Sequence, residues 1–536
     1  MSKKIVKGNS GMIEGINLVA ETIKVTLGPK GKCVAIQSSF GGPEVTRDGA
    51  TVAKSISPED PAVSMGAELI KAASIRTEEM VGDGTSSTAI LAQDMVNTGS
   101  AMLARESWIN VNEYKEGMEL ALEAVKKYIA SKAIPVGDDA EGLERVRRVA
   151  TVSANNDSSV GDLIVECMKK VGQDGVITAD RSSGLDTVIE VTQGFKVERG
   201  WASPHFVNSA KDGKCTLENP VILVVSERLS SIPPLVPVIE GVAKQGRSLL
   251  VIADEVDEVV LNMLAFNSLQ GALKCCVIKG IDFGDSRKNI MEDIAVSVGA
   301  SQVCPEYGLT LAKATLEHLG SADKVVISKD SAVIYGGAGD PARVADRLEV
   351  LKERLADPKT SPYEKSKFKT RVAALSGGVA VIKAGGASET EQANRKATIE
   401  DAILASQSAH SEGISAGGGW TLYQASVELS KTTLSDNRSV QAGVDLVLGS
   451  LQVISETIAT NYGEPLERVR AEAEKGWGFN AKTGLYENLL ESGVLDSAKV
   501  LRVELENAVS AAAMCLLTET MVIEVPESTE CGCGKH

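Results

Sequence analysis

The segment Gly82-Asp83-Gly84-Thr85-Ser86-Ser87-Thr88 lies between two stretches whose apolar residues recur at helical spacing. Glycines allow the backbone to turn sharply and to approach a ligand closely. A helix that begins at Thr85 directs its free N–H groups at this turn, and such a helix end suits an anion such as phosphate. The four hydroxyl groups of residues 85–88 add donors, and the Asp83 carboxylate is of the type that holds a phosphate-bound Mg²⁺. The alternative for this stretch alone is an ordinary turn with a threonine N-cap.

The overall composition indicates a large globular protein. A chain of 536 residues exceeds the size at which single cores divide, so several domains are expected. The net charge of −16 argues against a nucleic-acid-binding surface. The nine cysteines follow no disulfide framework, which is typical of reduced thiols. No apolar run reaches the roughly 18 residues of a membrane span, and no signal peptide is recognisable, so we expect a cytoplasmic protein.

Helical patterns occupy both ends of the chain, and an α/β pattern occupies the middle. A first helix with its apolar stripe from Ile13 to Ile23 ends at Leu27-Gly28-Pro29. Short apolar strands are predicted at 221–225, 249–253 and 275–278, with helices at 236–244, 256–269 and 287–298 between and after them. Long helices return after Glu391, and alternation at Met521, Ile523 and Val525 predicts a closing strand. This nested order predicts an α/β domain inserted into a helical one.

Several short motifs, taken in order and spacing, resemble those of the GroEL-type (group I) chaperonins over nearly the whole chain. They are Val25 to Gly31, Arg47-Asp48-Gly49, Gly82 to Thr85, Ser153-Ala154-Asn155, Phe283-Gly284-Asp285, Glu400-Asp401-Ala402, Ala416 to Gly419 and Thr518-Glu519. The resemblance implies a multidomain α + α/β fold. Its parts are a helical equatorial domain (1–134 and 413–536), an intermediate α/β domain (135–193 and 378–412) and an inserted apical α/β domain (194–377).

The resemblance also implies an ATPase site that uses Mg²⁺ and K⁺. Asp83 is expected to hold Mg²⁺, and Asp48 and Asp401 are expected to position and polarise the attacking water. The nucleotide contacts implied by the motifs are Thr26, Leu27, Gly28, Pro29, Arg47, Asp83, Gly84, Thr85, Ser86, Ser87, Ser153, Gly418, Asn480, Ala481 and Asp496. Phosphoryl transfer needs a metal, N–H donors and a carboxylate near water, and these residue types fit that need. Taken singly, Asp48 reads as a turn residue and Asp401 as an acid on a helix surface.

The apical module is expected to bind unfolded polypeptides, because their receptor needs an exposed apolar groove. The family implies a groove formed by Trp201, Ala202, His205, Phe206, Ile232, Val236, Ile239, Leu261, Ala265 and Phe266. Helical spacing places Val236 with Ile239, and Leu261 with Ala265, on one face each. Spacing cannot tell such a face from a core-facing stripe, so both interpretations stand at this stage.

The chain departs from the family pattern at a few places. Trp201 and His205 replace the usual tyrosines, and Arg47 replaces the usual lysine. A protonated His205 would weaken apolar binding at mildly acid pH. The C-terminal segment Cys531-Gly-Cys533-Gly-Lys-His536 offers three soft ligands, whereas a structural zinc site takes four.

The resemblance implies a homo-oligomer of two stacked seven-membered rings with a GroES-type co-chaperonin cap. The strand at 521–525 is expected to pair with strand edges near 34–37 of its own or a neighbouring subunit. A binding-only holdase is the first alternative, but Asp48, Asp83 and Asp401 are all present. A metabolic ATPase or kinase is the second, but the P-loop pattern GxxxxGK[ST] is absent. A group II chaperonin is the third, and the run from Trp201 to Phe206 matches group I better.

Overall fold

The computed structural model describes residues 2–37, 43–137, 139–154, 156–172, 175–182, 184–197, 199–209, 213–281, 284–356, 364, 367–368, 371–372, 374–375 and 378–525. The predictions made for Asn155, for Phe283 and for the segment from Cys531 to His536 lie outside these residues.

The helices and strands are numbered in chain order. The α-helices are α1 Ser10–Lys24, α2 Gly49–Ser55, α3 Pro61–Val81, α4 Thr85–Arg105, α5 Val111–Lys132, α6 Ala140–Ser153, α7 Ser158–Val171, α8 Val236–Lys244, α9 Glu258–Leu269, α10 Gly284–Val298, α11 Pro341–Ala356, α12 Glu389–Glu412, α13 Trp420–Leu429, α14 Arg438–Ser450, α15 Val453–Tyr462, α16 Leu466–Glu474 and α17 Ala498–Leu517. The strands are β1 Ser2–Lys7, β2 Val34–Ile36, β3 Glu44–Thr46, β4 Val176–Arg181, β5 Val188–Val197, β6 Cys215–Glu218, β7 Val221–Leu229, β8 Leu249–Val256, β9 Cys275–Lys279, β10 Gly320–Ser321, β11 Lys324–Ile327, β12 Ala332–Tyr335, β13 Gly378–Ala384, β14 Ile414–Ala416, β15 Gly478–Asn480, β16 Leu485–Glu487, β17 Leu495–Ser497 and β18 Thr520–Val525. Short 3₁₀ turns lie at Pro204–Phe206, Pro233–Leu235, Pro305–Tyr307, Leu311–Lys313 and Leu316–His318.

The chain forms two compact units, one of residues 1–165 and 393–536 and the other of residues 166–392. Both boundaries fall inside the segments predicted as the intermediate domain, and the division into three domains stays a prediction. The nested order is as expected, since the first unit is built from both ends of the chain.

The first unit is mainly helical. Helices α1, α3, α4, α5, α14 and α17 pack around a core composed mostly of alanine, valine, isoleucine and leucine. Residues 438–462 are, by length and composition alone, apolar enough to cross a membrane, but 61% of the apolar window is buried inside the protein. This stretch is therefore a core element of the helical unit.

The second unit contains the predicted α/β module. Strands β7, β8 and β9 run parallel at the centre, with the short strand β10 antiparallel at one edge. Their continuous apolar runs are buried, as expected for strands covered on both faces. Cys275 and Cys276 are adjacent on β9 and so point to opposite faces of the sheet, and both are buried. A six-stranded mixed sheet, in the order β4-β13-β5-β12-β11-β6, completes the unit.

The terminal strand β18 forms where alternation predicts it, but its partner within the chain differs from the prediction. It pairs antiparallel with β1, from Ser2 opposite Val525 to Lys7 opposite Thr520. The predicted partner within the same chain, the edge near Val34 to Gln37, pairs instead with β3. The prediction was wrong on this point because the lysine-rich N-terminal segment gives no strand signal of its own.

Candidate nucleotide site

A cavity of about 910 Å³ opens in the helical unit, and it is lined by segments from both ends of the chain. Every predicted nucleotide contact and both predicted catalytic carboxylates line it: Thr26, Leu27, Gly28, Pro29, Arg47, Asp48, Asp83, Gly84, Thr85, Ser86, Ser87, Ser153, Asp401, Gly418, Asn480, Ala481 and Asp496. The structure thus brings these residues together, while their individual roles toward a nucleotide stay predictions.

The turn between α3 and α4 has the backbone that its glycines allow. Gly82 ends α3 with a φ of 72°, and Gly84 precedes α4 with a φ of 83°, a region that favours glycine. Helix α4 begins at Thr85, as predicted. A Cβ atom at Gly82 would stand 2.7 Å from the carbonyl oxygen of Asp401, so only glycine allows this turn to touch α12 so closely.

One of the four hydroxyl groups of this segment is unavailable to a ligand. Thr88 is fully buried, and its Oγ1 donates to the Gly84 carbonyl oxygen over 2.9 Å and lies 2.9 Å from Thr77 Oγ1. The expectation that Thr88 adds a donor was therefore wrong. Thr85, Ser86 and Ser87 line the cavity.

Asp83 presents a buried carboxyl group at the same turn. Its Oδ1 accepts a hydrogen bond of 2.7 Å from the Gly84 N–H. Burial raises the pKa of Asp83, and the Gly84 N–H and the nearby Ser153 hydroxyl oppose that rise. The Ser153 Oγ atom is buried, and no partner among the described residues meets both the distance and the angle of a hydrogen bond to it.

The loop after α1 is held by residues from two other segments. An Arg47 nitrogen, Nη2, donates to the Gly28 carbonyl oxygen over 2.8 Å, which joins the two predicted nucleotide loops. Asn461 Nδ2 lies 2.9 Å from the carbonyl oxygens of Lys24 and Leu27. Sequence reasoning missed Asn461, since nothing in its surroundings marks it as a partner of this loop. The Thr26 hydroxyl donates a hydrogen bond to the Ile23 carbonyl oxygen at the end of α1.

The two predicted catalytic carboxylates occupy different environments. Asp48 is the N-cap of α2, where its oxygens accept hydrogen bonds from the N–H groups of Ala50 and Thr51. Burial raises the pKa of Asp401 well above its usual range, and the charges of Asp48, Glu78, Asp83 and Glu400 add to that rise. These neighbouring negative charges disfavour the ionised form of Asp401.

A glycine-rich turn and a hairpin also line the cavity. Asp496 Oδ2 accepts a hydrogen bond of 3.1 Å from the Gly418 N–H, and β17 pairs with β14 beside it. Burial, together with the charge of Asp83, raises the pKa of Asp496 to about 7. Asn480 Nδ2 donates to Glu487 Oε1 over 2.6 Å, across the hairpin of β15 and β16.

Six cavity residues with ionisable side chains were not predicted, and Cys33 and Lys482 are two of them. Glu144, Arg147 and Arg148 come from α6, and Glu504 comes from α17. Arg147 Nε donates to Asp162 Oδ1 over 2.6 Å, and Arg148 Nε donates to Glu144 Oε1 over 3.0 Å. Glu504 is only 3% exposed, and burial, reinforced by the charges of Asp496 and Asp83, raises its pKa well above the usual range. An acid between Val503 and Leu505, within an apolar stretch of the helix, was the available signal.

The donor set fits a cation that arrives with a nucleotide. Within the described ranges, no three His, Cys, Asp or Glu side chains converge as a protein-only metal cage. Mg²⁺ is commonly held by one or two carboxylates together with substrate phosphates. Asp83 supplies such a carboxylate beside the start of α4. Removal from solvent disfavours its negative charge, and a bound cation would compensate for that charge.

Cys33 is the exposed thiol among the cysteines that the structure describes, and it lines the same cavity.

The predicted client groove in the second unit is only partly exposed. Phe206, Leu261 and Ala265 are 1%, 9% and 3% exposed and belong to the core, so their assignment to an exposed groove was wrong. Helical spacing places Leu261 and Ala265 on one face of α9, but it could not show that this face meets the core rather than solvent. His205, Val236 and Phe266 are exposed, and Trp201, Ala202, Ile232 and Ile239 are partly buried. Val259 and Leu269, which were not predicted, are exposed apolar residues of α9.

The chain thus combines a helical unit assembled from both chain ends, an α/β unit inserted between them in the sequence, and a cavity lined by several carboxyl groups. The chain belongs to the TCP-1/cpn60 chaperonin family, whose model matches residues 19–526. Its fold is similar to that of the chaperonin gp146 from the bacteriophage EL 2 (Pseudomonas aeruginosa), solved in the presence of ATP-BeFx. The TM-score is 0.70 at 20% sequence identity, covering 97% of this chain and 99% of that chain. The multidomain α + α/β chaperonin fold is thereby confirmed.

Proposed function

We propose that this chain is a group I-type chaperonin that binds and hydrolyses Mg-ATP in the cavity of its helical unit and uses that cycle to fold non-native polypeptides. The observation that carries the proposal is the convergence on one cavity of residues that the chain order separates widely, from Thr26 to Asp496. The nucleotide assignment is supported by the phage chaperonin, whose structure was solved in the presence of ATP-BeFx.

The start of α4 supports the binding of phosphates. The N–H groups of its first turn are free of helix partners, and the hydroxyls of Thr85 and Ser86 add donors. Asp83 would hold the Mg²⁺ that enters with the nucleotide, and that ion would neutralise charge developing on the phosphates. K⁺ is proposed only from the family resemblance.

Asp48 and Asp401 would then orient and polarise the attacking water. Asp48 is fixed by its two cap hydrogen bonds, so its orientation is set before the nucleotide enters. The backbone of Asp401 on α12 lies against the Gly82 turn, and Asp401 lines the cavity, so a different helix brings a carboxyl group to the same site. A bound cation would lower its pKa and so favour the ionised form that accepts hydrogen bonds from water.

Two short ribbons with open edges support assembly into a ring. β1 pairs with β18, and β2 pairs with β3, each as an isolated two-stranded sheet. Isolated two-stranded ribbons are only marginally stable in water, and the unpaired N–H and C=O groups along their edges can pair with another chain. Ile5, Val45 and Val522 on these ribbons are 69%, 56% and 55% exposed. We propose that β18 and the β2–β3 ribbon meet between neighbouring copies, within two stacked seven-membered rings.

The exposed apolar residues of the second unit support client binding. Val236, Val259, Phe266 and Leu269 provide apolar surface on α8 and α9. We propose that unfolded polypeptides and a GroES-type cap bind this surface, and that the protein acts in the cytoplasm.

Single substitutions test the chemistry. Asp401→Ala should keep affinity for Mg-ATP but lose most turnover, by about 10²-fold or more, because the water loses its orienting group. Asp83→Ala should also weaken Mg-ATP binding, because the metal loses its carboxylate. Steady-state hydrolysis and equilibrium nucleotide binding measure the two effects. Normal turnover in Asp401→Ala would contradict the assignment.

A further inference from the structure

Three polar side chains form a hydrogen-bonded series inside the core of the helical unit, and its last member contacts the turn that carries Asp83. Asn507 of α17, Thr77 of α3 and Thr88 of α4 are 7%, 0% and 0% exposed. Asn507 Nδ2 donates to Thr77 Oγ1 over 2.9 Å, and Thr77 Oγ1 lies 2.9 Å from Thr88 Oγ1. Thr88 Oγ1 donates to the Gly84 carbonyl oxygen, also over 2.9 Å. These three residues form the buried relay.

The direction of the buried relay follows from the protons that its members can donate. A hydroxyl group has one proton to donate. Because the Thr88 proton is used at the Gly84 carbonyl oxygen, the proton between the two hydroxyl groups comes from Thr77. The Ala73 carbonyl oxygen is also within reach of Thr77 Oγ1, but at the longer distance of 3.1 Å. The relay therefore runs from the Asn507 amide to the Gly84 carbonyl group.

The Gly84 carbonyl group belongs to the same peptide unit as the Thr85 N–H group. It also accepts the backbone N–H of Thr88 over 2.9 Å, so two donors of one residue hold it. A peptide unit is planar and trans, so a fixed carbonyl group also fixes the N–H group on its opposite side. Hydrogen bonds to the carbonyl group polarise the unit and strengthen its N–H as a donor. Thr85 lines the cavity, and its N–H, at the first position of α4, has no partner within the helix.

The peptide unit after Gly84 needs a restraint from elsewhere in the protein. Gly84 is the N-cap residue of α4, so this position has no side chain that could cap the helix. Glycine also has more backbone freedom than any other residue. The Gly84 N–H, in the preceding peptide unit, donates to Asp83 Oδ1 over 2.7 Å. Asp83 thus holds one side of Gly84, and the buried relay holds the other.

Stability alone does not require polar side chains at these three positions. Apolar groups of the same shape can replace a buried hydrogen-bonded pair at little cost. The core around the relay consists mostly of alanine, valine, isoleucine and leucine, and α3, α4 and α17 pack directly against one another there. Apolar side chains would fill the same space, but they would leave the Gly84 carbonyl group without its second donor. This difference favours a role at the nucleotide site.

We propose that the buried relay positions the Thr85 N–H group for a phosphate of the bound nucleotide. Thr88 acts on the Gly84 carbonyl group, and Thr77 acts through Thr88. Thr88 is therefore a positioning residue and not a ligand. This inference rests on the proposed nucleotide function and deepens it, since it assigns part of the affinity for phosphate to side chains buried behind the site.

Thr88→Val removes the hydroxyl group and keeps the branched shape of the side chain. The Thr77 proton can then bond to the Ala73 carbonyl oxygen, so the substitution leaves no donor of the relay without an acceptor. A fluorescent ADP analogue, displaced by ADP from the full-length protein in the presence of Mg²⁺, measures affinity. The affinity for ADP should fall about five- to tenfold, as expected for one weakened hydrogen bond to a charged group. The unfolding temperature of the nucleotide-free protein should not fall.

Thr88→Ser should give the opposite pattern. It keeps the hydroxyl group and removes a buried methyl group, so the unfolding temperature should fall while the affinity for ADP stays within about twofold of the wild type. A side chain that only packs would change stability and affinity in the same direction. Ser406→Ala is the matched control. Ser406 is 3% exposed, its Oγ donates to the Ala402 carbonyl oxygen over 2.6 Å with the same i−4 spacing, and it is not among the described residues that line the cavity.

Adenosine separates the positioning of a phosphate contact from a general loosening of the cavity. Because adenosine has no phosphate, its inhibition constant against the fluorescent analogue should be the same for the wild type and Thr88→Val, whereas that of ADP should rise. The double variant Thr77→Val, Thr88→Val should bind ADP no more weakly than Thr88→Val alone, because Thr77 acts through Thr88.

Unchanged ADP affinity in Thr88→Val would overturn the inference and leave the proposed nucleotide function standing. Equal losses for ADP and adenosine, equal losses in Thr88→Val and Thr88→Ser, or additive losses in the double variant would also overturn it. If Thr88→Val does not fold by circular dichroism, Thr88→Ala takes its place with the same expected affinities for ADP and adenosine. A wild-type chain that binds no ADP would contradict the proposed function, and this inference with it.

Discussion

The Gly418 N–H donates a hydrogen bond of 3.1 Å to Asp496 Oδ2 and so ties the glycine-rich turn before α13 to the end of β17. Gly417 lies against the same carboxyl group, since a Cβ atom there would stand 2.8 Å from Asp496 Oδ1. Asp496 is half-buried, and its removal from solvent, together with the smaller effect of the Asp83 charge, raises the pKa of Asp496 from 3.8 to about 7. The stability of the nucleotide-free protein should therefore depend on the protonation of Asp496 and so on pH.

Asp496→Asn should stabilise the nucleotide-free protein increasingly as pH rises from about 4 to about 7, and by a constant amount above that. The folded chain holds the Asp496 proton more tightly than the unfolded chain, so ionisation opposes folding over this range. The full shift corresponds to at most about 4 kcal/mol. Thermal unfolding without Mg²⁺ at pH 5 and pH 8 measures the change. Asp436→Asn, at an exposed position, is the control, and a pH-independent difference would contradict the prediction.

Gly84→Ala should destabilise the chain and weaken nucleotide binding. A residue with a Cβ atom at a φ of 83° is strained by about 1–2 kcal/mol, and the new atom would press on Val500 and Glu504. Gly449→Ala is the matched control, because a Cβ atom there meets nothing within 4 Å inside α14. We expect that control to raise stability by up to about 1 kcal/mol. Chemical denaturation measures both, and two changes of the same sign would contradict this account.

The sequence predicted most of the central α/β module and much of the cavity for a physical reason. Strands β7, β8 and β9 begin with short apolar runs rich in valine and isoleucine, and that length and composition favour a strand over a helix. The start of α4 was predicted because two glycines limit where a helix can begin. Strand β1 was missed because its pairing with β18 depends on residues at the opposite end of the chain.

The misassigned residues share one cause. Periodicity identifies which residues of a helix lie on one face, but only tertiary packing decides what that face meets. Leu261 and Ala265 therefore had the correct spacing and the wrong environment. Glu504 was missed for the opposite reason, since the residues on either side of it are apolar and the acids that act on it, Asp83 and Asp496, lie in other segments.

Phe266→Ser should impair the capture of an unfolded client without changing basal ATP hydrolysis, because Phe266 is 62% exposed on α9. Phe206→Ser should behave differently. Phe206 is 1% exposed, and loss of a buried aromatic side chain costs about 3–5 kcal/mol of stability. Suppression of client aggregation and thermal unfolding separate the two effects. Client capture by Phe266→Ser equal to that of the wild type would contradict the binding surface.

Val522→Asp should weaken the oligomer, because it places a charge at the proposed edge contact of β18. The control is Leu185→Asp, at a position that is 73% exposed in the second unit. Light scattering at micromolar concentration measures the size of the particles. A wild-type monomer would contradict the ring, and equal dissociation of the two variants would contradict the β18 contact.

The position of Cys33 makes the nucleotide cavity open to chemical labelling. Burial raises the pKa of Cys167 and Cys275 to about 12 and that of Cys515 to about 11, so these thiols resist alkylation. Cys33 is the exposed cysteine of the described ranges and stands on the cavity wall. In a background where Cys531 and Cys533 are replaced by serine, a maleimide dye would attach at Cys33. The protein thus carries, in its own sequence, an attachment point for a fluorophore that reports when the cavity fills.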